Sequence, residues 1–314
     1  MTSLSNMRRN NILVIKLGAL GDFIQSLGPM RAIRQHHPDA HITLLTTAPF
    51  TAFAQKSSYF DSILTDIRPK YYQPLKWYRL RHMLNKPHFS RVYDLQNNDR
   101  TSLYFRLFSP RPEWVGTARG ASHRNVSPER TQGQAFDGHV QTLGLAGIKD
   151  ITIDRMEWIN ADLSRFACSK PYVLIVAGSA PSRPEKRWPA AHYTRLCARL
   201  IEDGLQPVLI GTQEEKEIMD SIARSCPKAL NLGGQTTLFD IVALARAAAG
   251  AIGNDTGPMH MIAPTGCPTL VLFSGSSNPV RHAPKGEHLK TLQVNDLETL
   301  APEEVSSCFE TMRR

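Results

Sequence analysis

The chain has 314 residues, of which 41% are hydrophobic and 21% charged, with a formal net charge of +9, and its length suits two domains of about 150 residues each. It carries no low-complexity tract or short repeat, which excludes a disordered tail or a solenoid, and its apolar runs are strand-sized, far below the roughly 20 residues of a spanning helix. Residues 1–150 hold 20 Lys+Arg against 10 Asp+Glu, whereas residues 151–314 hold 17 against 18, so the first half is suited to a large anionic partner: nucleic acid, an anionic membrane surface or a phosphorylated glycolipid.

At the N-terminus Arg8 and Arg9 precede an apolar segment that Lys16 and Gly18 interrupt at once. No signal-peptide core is formed, and cytoplasmic residence is the expectation. Residues 11–16 read as a buried strand, 17–21 as a glycine loop, and Ile24, Leu27, Met30 and Ile33 recur with helical spacing up to His37, a strand–loop–helix opening. Strands follow at 41–46 and 90–95, with a long insertion between them. After a polar linker at 160–170, five short apolar runs at 172–177, 207–210, 229–232, 249–252 and 269–273 alternate with helical patterns at 192–201 and 238–248, the latter behind the capping residues Thr236 and Thr237. This is the pattern of a doubly wound parallel sheet. A terminal helix is expected over 301–312. Five cysteines at positions 168, 197, 226, 267 and 308 form no Cys-x-x-Cys pair and have no clustered histidines beside them, so reduced thiols and no metal site are expected.

Several loops have the residues for phosphate chemistry. Gly253-Asn-Asp-Thr-Gly-Pro-Met-His260 follows a predicted strand and precedes a short helical stretch, where backbone amides and a helix dipole favour an anion. Asp255, Thr256, Gly257 and His260 would surround a diphosphate; the alternative is that Asp255 and Thr256 merely cap the helix and His260 packs in the core. Residues 179–189 end another strand of the same sheet, and Lys186 there can neutralise a leaving nucleoside diphosphate, or simply belong to a solvated basic loop. Glu214 and Glu215 fall where an acid binds ribose hydroxyls in dinucleotide folds, or form an ordinary acidic first turn. Lys16-Leu-Gly-Ala-Leu-Gly-Asp22 has neither Gly-x-Gly-x-x-Gly spacing nor a Gly-Lys-Ser/Thr ending, so no nicotinamide or ATP cofactor is expected. Asp22 can take a proton from an attacking hydroxyl, or act as a helix cap. Residues 68–91 hold seven Lys+Arg and no acid, interleaved with Tyr71, Tyr72, Trp77, Tyr78 and Phe89. That mixture suits a membrane interface, an anionic glycolipid, single-stranded nucleic acid, or a merely solvated surface.

On Lys16-x-Gly-x-x-Gly-Asp22, Asp94-Leu-Gln-x-x-x-Arg100, Lys186-Arg-Trp-Pro and Asn254-Asp-Thr-Gly-Pro-Met-His260, the chain resembles glycosyltransferase family 9, the ADP-heptose:lipopolysaccharide heptosyltransferases. The resemblance implies an α/β GT-B architecture, two Rossmann-like doubly wound parallel-sheet domains facing a cleft. Residues 1–162 would bind the acceptor, 163–300 the nucleotide sugar, and the helix at 301–314 would pack back on the first domain. It implies inverting, metal-independent transfer of heptose from ADP-L-glycero-D-manno-heptose to a Kdo or heptose acceptor of the lipopolysaccharide core at the inner membrane face. Asp22 would be the base and Lys186 the lysine on the donor phosphates. Ser182, Glu215, Asp255, Thr256, Gly257 and His260 would contact the donor, and Lys16, Gly21 and Arg100 the acceptor, with no metal, cofactor or nucleic acid. The alternatives are another sugar nucleotide or a protein acceptor, a basic nucleic-acid-binding protein, and a non-catalytic family member. The chain departs from the family in Met261-Ile-Ala-Pro-Thr-Gly266 after the histidine and in Phe273-Ser-Gly-Ser-Ser-Asn-Pro279.

Overall fold

Asn11–Ile15 (β1) is an Asn followed by four branched aliphatic side chains, all four buried, as a strand covered on both faces requires. In the computed structural model, which describes residues 11–313, it lies at the middle of a six-stranded sheet. Its neighbours are β2 (His41–Thr46), β3 (Ser62–Thr65), β4 (Arg91–Asp94), β5 (Glu113–Gly116) and β6 (His123–Arg124), in the order β3-β2-β1-β4-β5-β6, and every pairing is parallel. Arg8 and Arg9 lie outside the described residues.

The second sheet consists of β7 (Tyr172–Val176), β8 (Gln206–Leu209), β9 (Leu230–Asn231), β10 (Gly250–Asn254), β11 (Thr269–Phe273) and β12 (Leu289–Gln293), in the order β12-β11-β10-β7-β8-β9, also all parallel. Counted from their own first strands, both sheets have the order 3-2-1-4-5-6. The strand order reverses between β1 and β4 in one sheet and between β7 and β10 in the other, and crevices form outside the carboxyl ends of strands at such points.

The chain divides into two compact units, residues 1–154 and 155–314. The boundary falls before the polar stretch at 160–170 expected as the linker. Arg246 explains the difference: from the helix Leu238–Ala247 it donates to the carbonyls of Met156 and Ile159, holding residues 156–159, which precede that stretch, on the second unit. The last helix, Pro302–Arg313, packs on the helix Ala190–Glu202 of the second unit, whereas a return to the first domain was expected. Val305 and Phe309 are its buried anchors, each worth about 1.5–3 kcal/mol of burial. The Phe309 ring lies so close to Gly250 that a Cβ there would come within 2.5 Å of it.

The strands expected from apolar runs all form. The additional strands β3, β5, β6 and β12 are short or lie at sheet edges, and β12 shows only half-buried and exposed positions. The single helix expected after the first loop is two, Leu20–Gln25 and Leu27–His36, divided at Ser26. Thr237 caps the helix Leu238–Ala247 in a reciprocal box with Asp240. All five cysteines are free thiols, and burial pushes Cys267 up to about 12.

Candidate active site

In the second unit Asn254, the last residue of β10, is fully buried and uses its whole amide. Its Nδ2 donates to the carbonyls of Ala177 (2.8 Å) and Gly178 (3.2 Å), and its Oδ1 accepts from the Trp188 amide (3.1 Å) and the Tyr193 hydroxyl (2.9 Å). One side chain thus joins the ends of β7 and β10 to the loop carrying Lys186. Trp188 holds that loop from below: it is 1% exposed and its Nε1 donates to the Leu300 carbonyl at 2.9 Å. Arg187 folds back to donate to Ser179 Oγ at 3.0 Å. The loop is therefore a structured element, although Arg183 and Glu185 on it are solvated.

Lys186 Nζ donates to Asp255 Oδ2 at 2.5 Å, and the same oxygen accepts from Ser277 Oγ at 2.6 Å. Asp255 has 6% of its side chain exposed and Lys186 19%. A pair so placed is costly to desolvate, and its close geometry and the Ser277 hydrogen bond offset that cost. Asp255 spends one of the three ammonium donors, leaving Lys186 able to meet an anion. Neither Asp255 nor Thr256 caps the next helix: Asp255 is committed to Lys186, and Thr256 makes no side-chain cap bond. That helix, Gly257–Ile262, has only six residues and a proline in its first turn, so its dipole is weak and Lys186 is the cation nearest to Asp255 in this loop pair. His260 is half-buried beside the fully buried Met259 and Met261, and so is not a core residue.

Ser182 is exposed on a turn that the Arg183 amide closes onto the Ala180 carbonyl. Glu215 Oε2 accepts from the amide and hydroxyl of Thr212 at 2.8 and 3.0 Å, so the acidic first turn of the sequence reading is present. The carboxylate also spans from Gly211 to Gly178 at the ends of β8 and β7: a Cβ on Gly178 would lie 1.8 Å from Glu215 Oε1. Glu214 is exposed. Gly178→Ala is expected to displace this flexible carboxylate, leaving the melting temperature within a few degrees of the parent while lowering nucleotide affinity several-fold; calorimetric titration and a thermal melt together check it.

In the first unit Asp22 is exposed at the third residue of the helix Leu20–Gln25, whose cap position is Ala19. It is therefore not a capping residue. Gly18 adopts φ +107° and passes so close to Phe50 that a Cβ would meet the ring at 2.7 Å, which fixes glycine there. Lys16 is 2% exposed and donates to the Leu95 carbonyl at 3.1 Å. Burial lowers its pKa, while Asp22 and Asp94 raise it, so Lys16 lies beneath the loop rather than on its surface. Gly21 is half-buried in the first turn. Arg100, also half-buried, donates to the Pro69 carbonyl at 3.2 Å, and Arg68 to the Leu17 carbonyl at 2.7 Å. Ser26 and His139 are a buried pair, Oγ to Nε2 at 3.1 Å. Neither they nor Ser277 stood out in the sequence, where isolated hydroxyls and a lone histidine give no pattern.

Two buried groups of this unit set opposed pH dependences. Burial raises Asp94 from 3.8 to about 6, against hydrogen bonds from Asn97, Thr101 and Gln96 and the charge of Lys16. Burial holds His139 well below 6.5, with the charges of Lys16 and Arg130 adding to it. Between 3.8 and about 6 the folded state holds the Asp94 proton more tightly than the unfolded chain, so this group makes stability fall as pH rises through that window. His139 acts the other way: below 6.5 the unfolded chain takes a proton that the folded state refuses, so stability falls as pH falls. Asp94→Asn keeps an oxygen for the Gln96 and Asn97 amides. It is expected to gain on the order of 2–3 kcal/mol at neutral pH and to become more acid-sensitive than the parent, as denaturant melts across pH would record.

Among the described residues, no group of three or more His, Cys, Asp or Glu side chains is placed to hold a metal ion, and no helix is long and apolar enough to cross a membrane.

Two parallel six-stranded sheets of one strand order, with the Lys186–Asp255 pair at the reversal point of the second, form a GT-B fold. Residues 140–311, more than half of the chain, match the model of glycosyltransferase family 9 (heptosyltransferase), and the chain belongs to that family. It is 25% identical over 297 residues to lipopolysaccharide heptosyltransferase 2 of Escherichia coli (strain K12), covering 85% of this chain and 83% of that protein. Among solved structures, the family 9 glycosyl transferase of Veillonella parvula DSM 2008 superposes with a TM-score of 0.81 at 21% identity, covering 97% of each chain. Escherichia coli heptosyltransferase WaaC with ADP gives 0.75 at 17%, covering 96% of this chain and 99% of that one.

Proposed function

We propose that this glycosyltransferase moves heptose from ADP-L-glycero-D-manno-heptose to a Kdo or heptose hydroxyl of a lipopolysaccharide core acceptor, with inversion and without a metal. The carrying observation is the Lys186–Asp255–Ser277 cluster at the carboxyl ends of the second sheet, supported by family membership and by relatives described as acting in lipopolysaccharide synthesis or solved with ADP.

In this reading the acceptor oxygen attacks the anomeric carbon as the bond to the ADP oxygen breaks, and Asp22 receives the hydroxyl proton. Lys186 neutralises charge on the departing diphosphate, with Asp255 and Ser277 holding its ammonium in place. Thr256, Gly257, His260 and Ser182 complete the donor loops, and Glu215 meets the ribose. Arg100 and Gly21 face the acceptor, while Lys16 positions Asp22 from below. The first unit is then the acceptor domain and the second the donor domain, and the work is done at the inner face of the cytoplasmic membrane.

Calorimetric titration with ADP, UDP, GDP and NAD, each with and without magnesium, tests the reading. ADP-selective binding that is unchanged by magnesium supports it. Selectivity for UDP or GDP would replace the donor, and magnesium-dependent binding would remove the metal-free scheme.

A further inference from the structure

Nine large hydrophobic side chains are strongly exposed among the described residues, and five of them, Ile67, Tyr71, Tyr72, Leu75 and Tyr78, fall within twelve residues of one another. The helix Pro74–Asn85 buries Leu80 and Leu84 against the first unit's core, with Trp77 and Met83 half-buried beside them. Residues three and four apart share a helix face. Leu75, at 75% exposure, and Tyr78, at 69%, therefore lie together on the side away from the core, with Arg79 and His82 one turn further along. A helix that merely covers a core carries polar residues there, so the fold does not account for this second apolar face.

The turn before the helix is ordered. The Lys70 amide donates to Gln73 Oε1 at 3.1 Å, Trp77 Nε1 donates to the Lys70 carbonyl at 3.1 Å, and Lys70 Nζ sits 5.8 Å from the Tyr72 ring centroid. Tyr71, 90% exposed, is thus displayed from a pinned turn. Of the seven Lys+Arg in residues 68–91, a stretch without an acid, Arg68 is turned to the Leu17 carbonyl and Arg91 to Glu113, while Lys70, Lys76, Arg79, Arg81 and Lys86 are exposed.

We infer that the segment from Ile67 to Asn85 docks the first unit on an anionic bilayer surface, Tyr71, Tyr72, Leu75 and Tyr78 entering the headgroup boundary while Lys70, Lys76, Arg79 and Arg81 meet lipid phosphates. Tyrosine suits that boundary because its ring is apolar and its hydroxyl wet, and basic residues nearby add attraction to anionic lipid. Two features favour a bilayer over single-stranded nucleic acid: Ile67 and Leu75 provide no ring for a base to stack on, and they gain most from leaving water. The inference stands apart from the donor-site reading, since vesicle binding and ADP binding are separate measurements.

The test is co-sedimentation of the full chain with vesicles of phosphatidylcholine alone or enriched in phosphatidylglycerol, at low and high salt. Binding to the anionic vesicles, weakened by salt and reduced about tenfold or more in Leu75→Ser/Tyr78→Ser and in Lys76→Glu/Arg79→Glu, is expected. ADP affinity and the melting temperature should stay at parental values in both variants, whose altered side chains are all exposed. Absence of binding, equal binding by parent and variants, or equal binding to neutral vesicles overturns the inference. Preference for a single-stranded oligonucleotide over vesicles would assign the surface to nucleic acid, and binding only when core glycolipid is included would assign it to the acceptor; either also overturns it.

Discussion

Lys186→Ala should lower kcat/KM by about 10²–10³ and weaken ADP binding in parallel. The ammonium donates to an Asp255 carboxylate that is 6% exposed, so alanine removes the positive charge from a site where solvent screening is weak. A leaving diphosphate gains negative charge as the glycosidic bond breaks, and a cation fixed beforehand costs no reorganisation at that moment. The loss should therefore fall on kcat as well as on binding. Stability should drop too, because Asp255 is left with the Ser277 hydroxyl as its remaining donor from the cluster. Breaking a fully buried pair from one side costs as much as about 3–5 kcal/mol, and the 19% exposure of the Lys186 side chain reduces the cost here. Asp255→Asn separates the two effects: it keeps the lysine side chain and an oxygen for Ser277, so it should retain more stability than Lys186→Ala while Lys186 loses its fixed position. Steady-state kinetics with ADP-heptose, ADP titration and thermal melts on both variants make the comparison. Unchanged turnover in Lys186→Ala would remove the lysine from the reaction.

The second sheet was more legible in the sequence than the first for a physical reason. Strands buried on both faces read as continuous apolar runs, and Tyr172–Val176 and Thr269–Phe273 are buried throughout. Edge strands lack that signature: Ser62–Thr65 is half-exposed, and Leu289–Gln293 has two half-buried leucines separated by Lys290 and Thr291 and no buried position. Among site residues, those packed into contiguous motifs were visible as motifs, but their neighbours in space were not. Ser277 reaches Asp255 across 22 positions and Asn254 reaches Ala177 across 77, distances at which no spacing rule operates. The same limit hid the division of labour inside Lys186-Arg-Trp-Pro, where Trp188 is core, Arg187 braces Ser179 and Lys186 alone faces the carboxylate. Lys16 meets that limit too. It falls at the end of the run expected as a buried strand and is buried, but the partner that receives its ammonium, the carbonyl of Leu95, lies 79 positions away and no motif points to it.

Asp22→Asn should reduce kcat by about 10²–10⁴ while leaving ADP affinity at the parental value, a pattern opposite to that of Lys186→Ala. The side chain is exposed in the first turn of Leu20–Gln25 and caps nothing, so its removal exposes no apolar surface and frees no amide. Asparagine has the same shape and accepts a hydrogen bond, but it cannot take up the acceptor's proton. If the carboxylate served only to orient the hydroxyl, asparagine would retain most of the rate, and the base assignment would be lost. Lys16 bears on the same step from beneath the turn: burial lowers its pKa, and the nearby carboxylates of Asp22 and Asp94 raise it. Lys16→Met removes that side chain from a site that is 2% exposed, and it should lower kcat while leaving ADP affinity at the parental value, because the support beneath the turn that carries Asp22 is lost.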